Sequence, residues 1–186
     1  AFSCVYICYL AYEGHMNYES WNALFWIIFV FASVNAISKA FVQEGAERHA
    51  YYYFILKPRQ LILARMIYNS LLLLFLSMIS FLFFSIFMGS ISINPFFFLA
   101  GLILGSLGFS AILSLVASIA SAGNNRFSLM AVLSFPLVLP LMIMLINMNA
   151  TPDDTQHMLG FSMALLLFDV IVWVLSSVLF PYLWKE

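Results

Sequence analysis

The sequence predicts an all-α integral membrane protein, a polytopic bundle of six transmembrane helices whose first helix is truncated. Of its 186 residues, 65% are hydrophobic and only 8% are charged, and the mean hydropathy is +1.03. A soluble domain carries about 25% charged residues, so this chain has too few to cover a water-facing surface. The composition excludes soluble enzymes and disordered chains. The net charge of −1 also excludes the basic surface of a nucleic-acid binder.

Continuous apolar runs define the helices, because a helix needs about 20 apolar residues to cross the hydrocarbon core of a bilayer. Five runs approach or exceed this length, and they cover residues 21–38, 66–88, 96–122, 127–147 and 158–180. Residues 1–12 are apolar but too short to span, so we interpret them as the end of a first span. Asn94-Pro95 predicts a helix start, and Pro181 is expected to end the last helix.

The basic residues predict the orientation of the bundle. With six spans, every Lys and Arg falls on one side: Lys39, Arg48, Lys57, Arg59, Arg65, Arg126 and Lys185. The loops on the opposite side hold only acids, Glu13, Glu19, Asp153 and Asp154. The positive-inside rule makes the basic side cytoplasmic, so both termini are expected in the cytoplasm.

The one sizeable polar stretch, residues 39–65, connects the second and third spans. Glu44 and Arg48 are spaced for an ion pair on a helix surface, and a second helix is expected to begin at Pro58. Mixed charge with aromatic residues is typical of a connector that lies on the membrane surface. It is equally typical of a docking helix for a cytoplasmic partner, so the sequence leaves both interpretations open.

Small residues mark the fourth span. Gly101 and Gly105 form G-x-x-x-G, and a series at four-residue spacing follows, which consists of Ser106, Ser110, Ser114 and Ser118. Small residues let helices approach closely in lipid, so we expect them to pack helices within the bundle. The alternative is that they form a subunit seam or the wall of a pathway.

Three further residues stand out inside the predicted spans. Pro136 and Pro140 each remove a helical hydrogen bond and favour a kink in the fifth span. Asp169 lies about eleven residues into the sixth span, near the middle of the bilayer. A carboxylate is costly there, so Asp169 is expected to be protonated, paired, or facing a wet cavity. We interpret it as a pathway candidate, with a neutral acid hydrogen-bonded to a Ser or Asn as the alternative.

Catalytic and metal-binding motifs are absent from the sequence. There is no phosphate-binding G-x-x-x-x-G-K-[ST], no C-x-x-C-H heme attachment motif and no H-E-x-x-H zinc motif. His15, His157, Met148 and Met158 are of the types that ligate heme iron, but we favour the interpretation that they are ordinary loop histidines and packing methionines. Ser110 cannot act as a nucleophile with His157 as its base. At about 1.5 Å per residue, Ser110 is predicted roughly 20 Å below the outer surface of the membrane, whereas His157 is predicted at that surface.

Two stretches resemble a known family. Residues 105–145 read GSLGFSAILSLVASIASAGNNRFSLMAVLSFPLVLPLMIML, and residues 41–69 read FVQEGAERHAYYYFILKPRQLILARMIYN. They resemble the signature region and the cytoplasmic loop of the heme exporter permease B family (CcmB) of cytochrome c maturation. The ending FPYLWKE resembles Bacteroidetes-like members. The family's N-terminal amphipathic helix and complete first span have no counterpart in these residues.

The resemblance implies an ABC-2-exporter-like permease subunit in the bacterial cytoplasmic (inner) membrane. ATP would bind a separate cytoplasmic ABC ATPase subunit, and heme would be the transported or handled ligand. Other implied partners are a heme-handling membrane subunit, a small single-span helper and, indirectly, an extracytoplasmic heme chaperone. The process is heme delivery to c-type cytochromes.

Mechanical coupling is the mechanism we expect from this resemblance. Closing ATPase subunits would push the loop 39–65, with contacts expected at Glu44, Gly45, Glu47, Arg48, Pro58 and Arg59. A non-transporting scaffold for a heme-handling complex and another ABC-2-type exporter permease are the alternatives. A wet path at Asp169 would favour transport, whereas a dry, packed core would favour the scaffold.

Overall fold

Five long helices form the part of the chain that the computed structural model describes, residues 17–43, 58–88, 95–120, 126–150 and 155–183. They are α1 (Tyr18–Gln43), α2 (Pro58–Met88), α3 (Pro95–Ala120), α4 (Arg126–Met148) and α5 (Thr155–Leu183). All five are long and apolar enough to cross a membrane, and the described residues contain no strand. The fold is therefore the all-helical bundle of a multi-pass membrane protein.

The helix starts follow the sequence signals. α3 begins at Pro95, as Asn94-Pro95 predicts, because proline needs no helical hydrogen bond in the first turn. α2 begins at Pro58, where the polar loop was expected to give way to a second helix. The predicted first span at residues 1–12 lies outside the described residues, so five of the six predicted spans are seen.

The internal prolines do not interrupt their helices. α5 continues to Leu183, so the prediction that Pro181 ends this helix is wrong. A proline in the last turn removes one hydrogen bond from a turn that is weakly held in any case, and the helix tolerates it. α4 is continuous through Pro136 and Pro140, and both rings lie on its exposed surface.

α3 is the central helix of the bundle. It packs against each of the other four described helices, and 67% of its membrane-spanning window is buried, compared with 17% for that of α5. Its small side chains explain this position, because they allow neighbouring backbones to approach closely from several directions.

Three glycines of α3 fix its packing against α4. A Cβ atom added at Gly101 would meet Met148 Cε at 2.8 Å, and one added at Gly105 would meet Leu145 Cδ1 at 3.1 Å. A Cβ at Gly108 would meet Leu141 Cδ2 at 2.8 Å. Positions rise along α3 as they fall along α4, so the two helices run antiparallel, with α4 side chains seated over the glycines.

Aromatic side chains fill one end of the bundle, where α1, α2 and α3 meet. Trp21 and Phe25 of α1 are each 1% exposed, and their rings lie 5.3–5.7 Å from that of Phe98 and 5.5 Å from that of Phe84. Large apolar side chains also cover the outside, among them Phe75 at 69% exposed. An apolar exterior suits lipid rather than water.

Candidate functional site

The candidate site is built around an acid on α5. The buried side chains of this helix recur at helical spacing, at Met158, Leu165, Asp169, Val172 and Ser176. This stripe is the face that α5 turns toward the bundle, while most of its surface is exposed. Asp169 is 5% exposed in the middle of the stripe, so its carboxyl group points between helices rather than into lipid.

Gly108 of the central helix makes room for this carboxyl group. A Cβ atom added at Gly108 would collide with Asp169 Oδ1 and would lie 2.8 Å from Leu141 Cδ2. The acid therefore occupies the space that a side chain at Gly108 would take, and Leu141 of α4 closes the site from a third helix. We call the group Gly108, Leu141 and Asp169 the acid pocket.

The acid has no hydrogen-bond partner in the described part of the chain. Both carboxyl oxygens of Asp169 are buried and unpartnered there, so the hydrogen bond to a Ser or Asn that the sequence suggested is not seen. A cavity of about 440 Å³ lies between α1 and α4, but Asp169 does not line it. Since burying an unpaired charge costs far more than burying a neutral group, this geometry favours the uncharged acid.

The contact of Gly108 with Asp169 was not predicted from the sequence. The depth of the two residues in the membrane would have indicated this contact. Gly108 lies 12 residues after Phe96 and Asp169 lies 11 residues after Met158, where the two predicted spans begin on the same side. At about 1.5 Å per residue, both residues lie at the same depth in the membrane. The acidic side chain can therefore occupy the space left by the missing side chain of the glycine.

The small residues of α3 divide between two seams. Gly101 and Gly105 face α4 and Trp26 of α1, whose ring atoms come within 3.6 Å and 3.1 Å of the added Cβ positions. Ser110 and Ser114 instead join α3 to α2. Ser110 Oγ donates to the Met66 carbonyl at 2.6 Å, and Ser114 Oγ accepts from Asn69 Nδ2 at 2.8 Å.

The expected coupling residues lie mostly beyond this region. Glu44, Gly45, Glu47 and Arg48 are outside the described residues, and Pro58 and Arg59 belong to the first turn of α2. The structure therefore shows that the predicted coupling loop connects α1 to α2. The expected contacts of these residues are not tested.

Of the residues that suggested heme ligation, His15 lies outside the described residues, and the other three pack within the bundle. The His157 ring lies 4.7 Å from that of Phe161, and Met148 and Met158 are both 0% exposed. Within the described ranges, no group of three or more His, Cys, Asp or Glu side chains is arranged to hold a metal ion. The described geometry therefore assembles no ligand set around these residues.

Comparison of the chain with protein-family models, with curated proteins and with solved structures gave no match.

Proposed function

We propose that this chain is the permease subunit of an ABC transporter that exports or delivers heme for c-type cytochrome biogenesis. A separate cytoplasmic ATPase subunit hydrolyses ATP, and the loop between α1 and α2 receives the resulting movement. The proposed location is the bacterial cytoplasmic membrane, with the basic loops in the cytoplasm. A heme-handling membrane subunit and a single-span helper are the proposed neighbours, and an extracytoplasmic chaperone takes the heme.

The observation that carries this proposal is the pairing of α3 with α4. These two helices hold the stretch that resembles the heme exporter permease B family, residues 105–145. Gly105 and Gly108 receive Leu145 and Leu141, so the small-residue helix and the two-proline helix act as one packed unit. The absence of a phosphate-binding loop from the sequence agrees with a subunit that depends on a partner for ATP.

Charge reversal in the loop tests the coupling. In the Glu44→Lys, Arg48→Glu double variant, we expect at least a tenfold loss of ATPase subunit on copurification, because docking surfaces of opposite charge become mismatched. The amount of the chain in the membrane should stay unchanged. Glu19→Lys, at the other end of α1, is the matched control and should retain the ATPase. Normal copurification and normal heme delivery by the double variant would refute the docking assignment.

A second candidate function is a scaffold that holds the other subunits and moves nothing. Close packing at the acid pocket favours the scaffold, since side-chain atoms of Leu141 and Asp169 both lie next to Gly108. The cavity between α1 and α4 does not reach Asp169. Transport through this point then needs α5 to move away from α3, whereas a scaffold needs no such movement.

Two substitutions at Asp169 distinguish these functions. Asp169→Asn keeps the shape of a neutral acid, and Asp169→Leu removes the unpartnered oxygens, so both variants should fold and assemble. If the chain is a permease that uses the acid, we expect heme delivery to fall at least tenfold in both variants, with subunit copurification unchanged. Full delivery by both variants would favour the scaffold.

A further inference from the structure

The cavity between α1 and α4 has the form of a groove with two ends. It has a volume of about 440 Å³, within the range of about 300–1,000 Å³ typical of ligand pockets. Ser38 Oγ meets Met130 Sδ at 3.2 Å beyond one end, and Asn22 Nδ2 donates to the Ile146 carbonyl at 2.8 Å beyond the other. The groove lies between these two contacts of the antiparallel helices, and Ala131 is the smallest side chain in its lining.

The lining of the groove is almost wholly apolar. Each helix contributes one stripe at helical spacing, which includes Ile27 and Val34 on α1 and Val138 and Met142 on α4. Both stripes belong to helices apolar enough to cross a membrane. The natural occupant of an apolar groove open to the hydrocarbon region is a hydrocarbon chain.

One end of the groove is polar, and this asymmetry points to the kind of lipid. Asn35 and Ser134 lie toward the end that the contact between Ser38 and Met130 closes. Lys39 follows Asn35 by one helical turn and is exposed. A cationic side chain such as Lys39 beside the end of an apolar groove complements an anionic headgroup with an acyl chain.

We infer that the α1–α4 groove binds one acyl chain of an anionic phospholipid, whose headgroup sits at Lys39. The apolar stripes hold the chain, Asn35 and Ser134 lie at the level of the ester linkage, and Lys39 pairs with the phosphate. This inference does not depend on the proposed function, because lipid binding needs neither an ATPase nor heme.

Lipid retention by the full-length purified chain tests the inference. After delipidation in detergent, dioleoyl phosphatidylglycerol or dioleoyl phosphatidylcholine is added, and bound lipid is counted by native mass spectrometry. We expect about one phosphatidylglycerol per chain, retained at least tenfold more strongly than phosphatidylcholine. Equal retention of the two lipids would overturn the inference, because it would mean a non-specific annular layer. Inorganic phosphate is added separately, and an equal competing effect from it would also overturn the inference.

Two pairs of variants separate the acyl groove from the headgroup site. Ala131→Phe fills the groove, and Val132→Phe adds the same ring at the neighbouring position, which is 71% exposed and outside the lining. Lys39→Glu reverses the charge, and Lys39→Arg keeps it. We expect at least a tenfold loss of phosphatidylglycerol for the first member of each pair and none for the second. Equal losses within either pair would contradict the inference, and circular dichroism checks that all four variants are helical.

Discussion

At the centre of this bundle, Gly108 has a structural role because it lacks a side chain. Gly108 has no Cβ, and the Asp169 carboxyl group and the tip of Leu141 occupy the space so created. The acid has no partner among the described residues, so its position depends on steric fit rather than on a hydrogen bond. The compact carboxyl group fits against Gly108 and so allows α5 to lie close to α3 at this level.

Substitution of Gly108 by alanine tests this fit. We expect Gly108→Ala to lower the free energy of unfolding by about 1–3 kcal/mol, as overpacking of a buried site does, because two side chains must move. Thermal unfolding of the purified chain in detergent measures the effect. Gly160→Ala is the matched control on α5, where an added Cβ meets nothing within 4 Å. A methyl group tolerated equally at both positions would contradict the proposed fit.

Hydrogen bonds between elements act at the scale of the helix pair. Asn22 Nδ2 donates to the Ile146 carbonyl of α4, and Asn22 Oδ1 accepts from Trp26 Nε1 at 3.0 Å. One buried side chain thereby joins α1 to α4 and satisfies a tryptophan within its own helix. In lipid, where apolar contact between helices gains little over contact with acyl chains, such bonds help to specify which helices pair.

Removal of the Asn22 amide should loosen this pair. We expect Asn22→Ala to cost about 1–2 kcal/mol, since an interhelical bond is lost and Trp26 Nε1 is left buried without a partner. Ser162→Ala is the control, because the Ser162 hydroxyl donates within its own helix, to the Leu159 carbonyl of α5. Thermal unfolding compares the two variants. The seam would not depend on Asn22 if both variants lost the same stability.

In the part of the chain that the structure describes, four helices are placed around one buried helix. α3 contacts all four, and their outer surfaces are apolar, as at Ile86, which is 74% exposed, and Phe75, which is 69% exposed. Such an exterior is stable only in lipid or detergent. The arrangement leaves the loops and helix ends as the places where soluble partners can bind.

The orientation of the bundle can be tested at the two ends of α1. Glu19 and Lys39 are both exposed, and at about 1.5 Å per residue they lie about 30 Å apart, close to the thickness of the hydrocarbon core. After Cys4 and Cys8 are replaced by serine, a membrane-impermeant maleimide should label Glu19→Cys in intact cells. Lys39→Cys should be labelled only after lysis. The reverse pattern would invert the predicted topology.

Local features of the sequence are sufficient to predict the class of protein and most of its helices. Length and hydropathy of a continuous apolar run are local properties, so they predicted all five described spans, and Pro95 marked the start of α3. The same local reasoning failed at Pro181, since a helix within two residues of its end tolerates a proline. The family resemblance and the coupling loop remain hypotheses of the sequence.

Which helix surfaces meet depends on the packing of the whole bundle. Leu73 is 0% exposed and Phe75, two residues away, is 69% exposed, yet both are large apolar residues. In a membrane the lipid is as apolar as the protein interior, so hydrophobicity does not distinguish the lipid-facing side of a helix from the packed side. The meeting of Gly108 with Asp169, and the division of the small residues of α3 between two seams, therefore required the packed bundle.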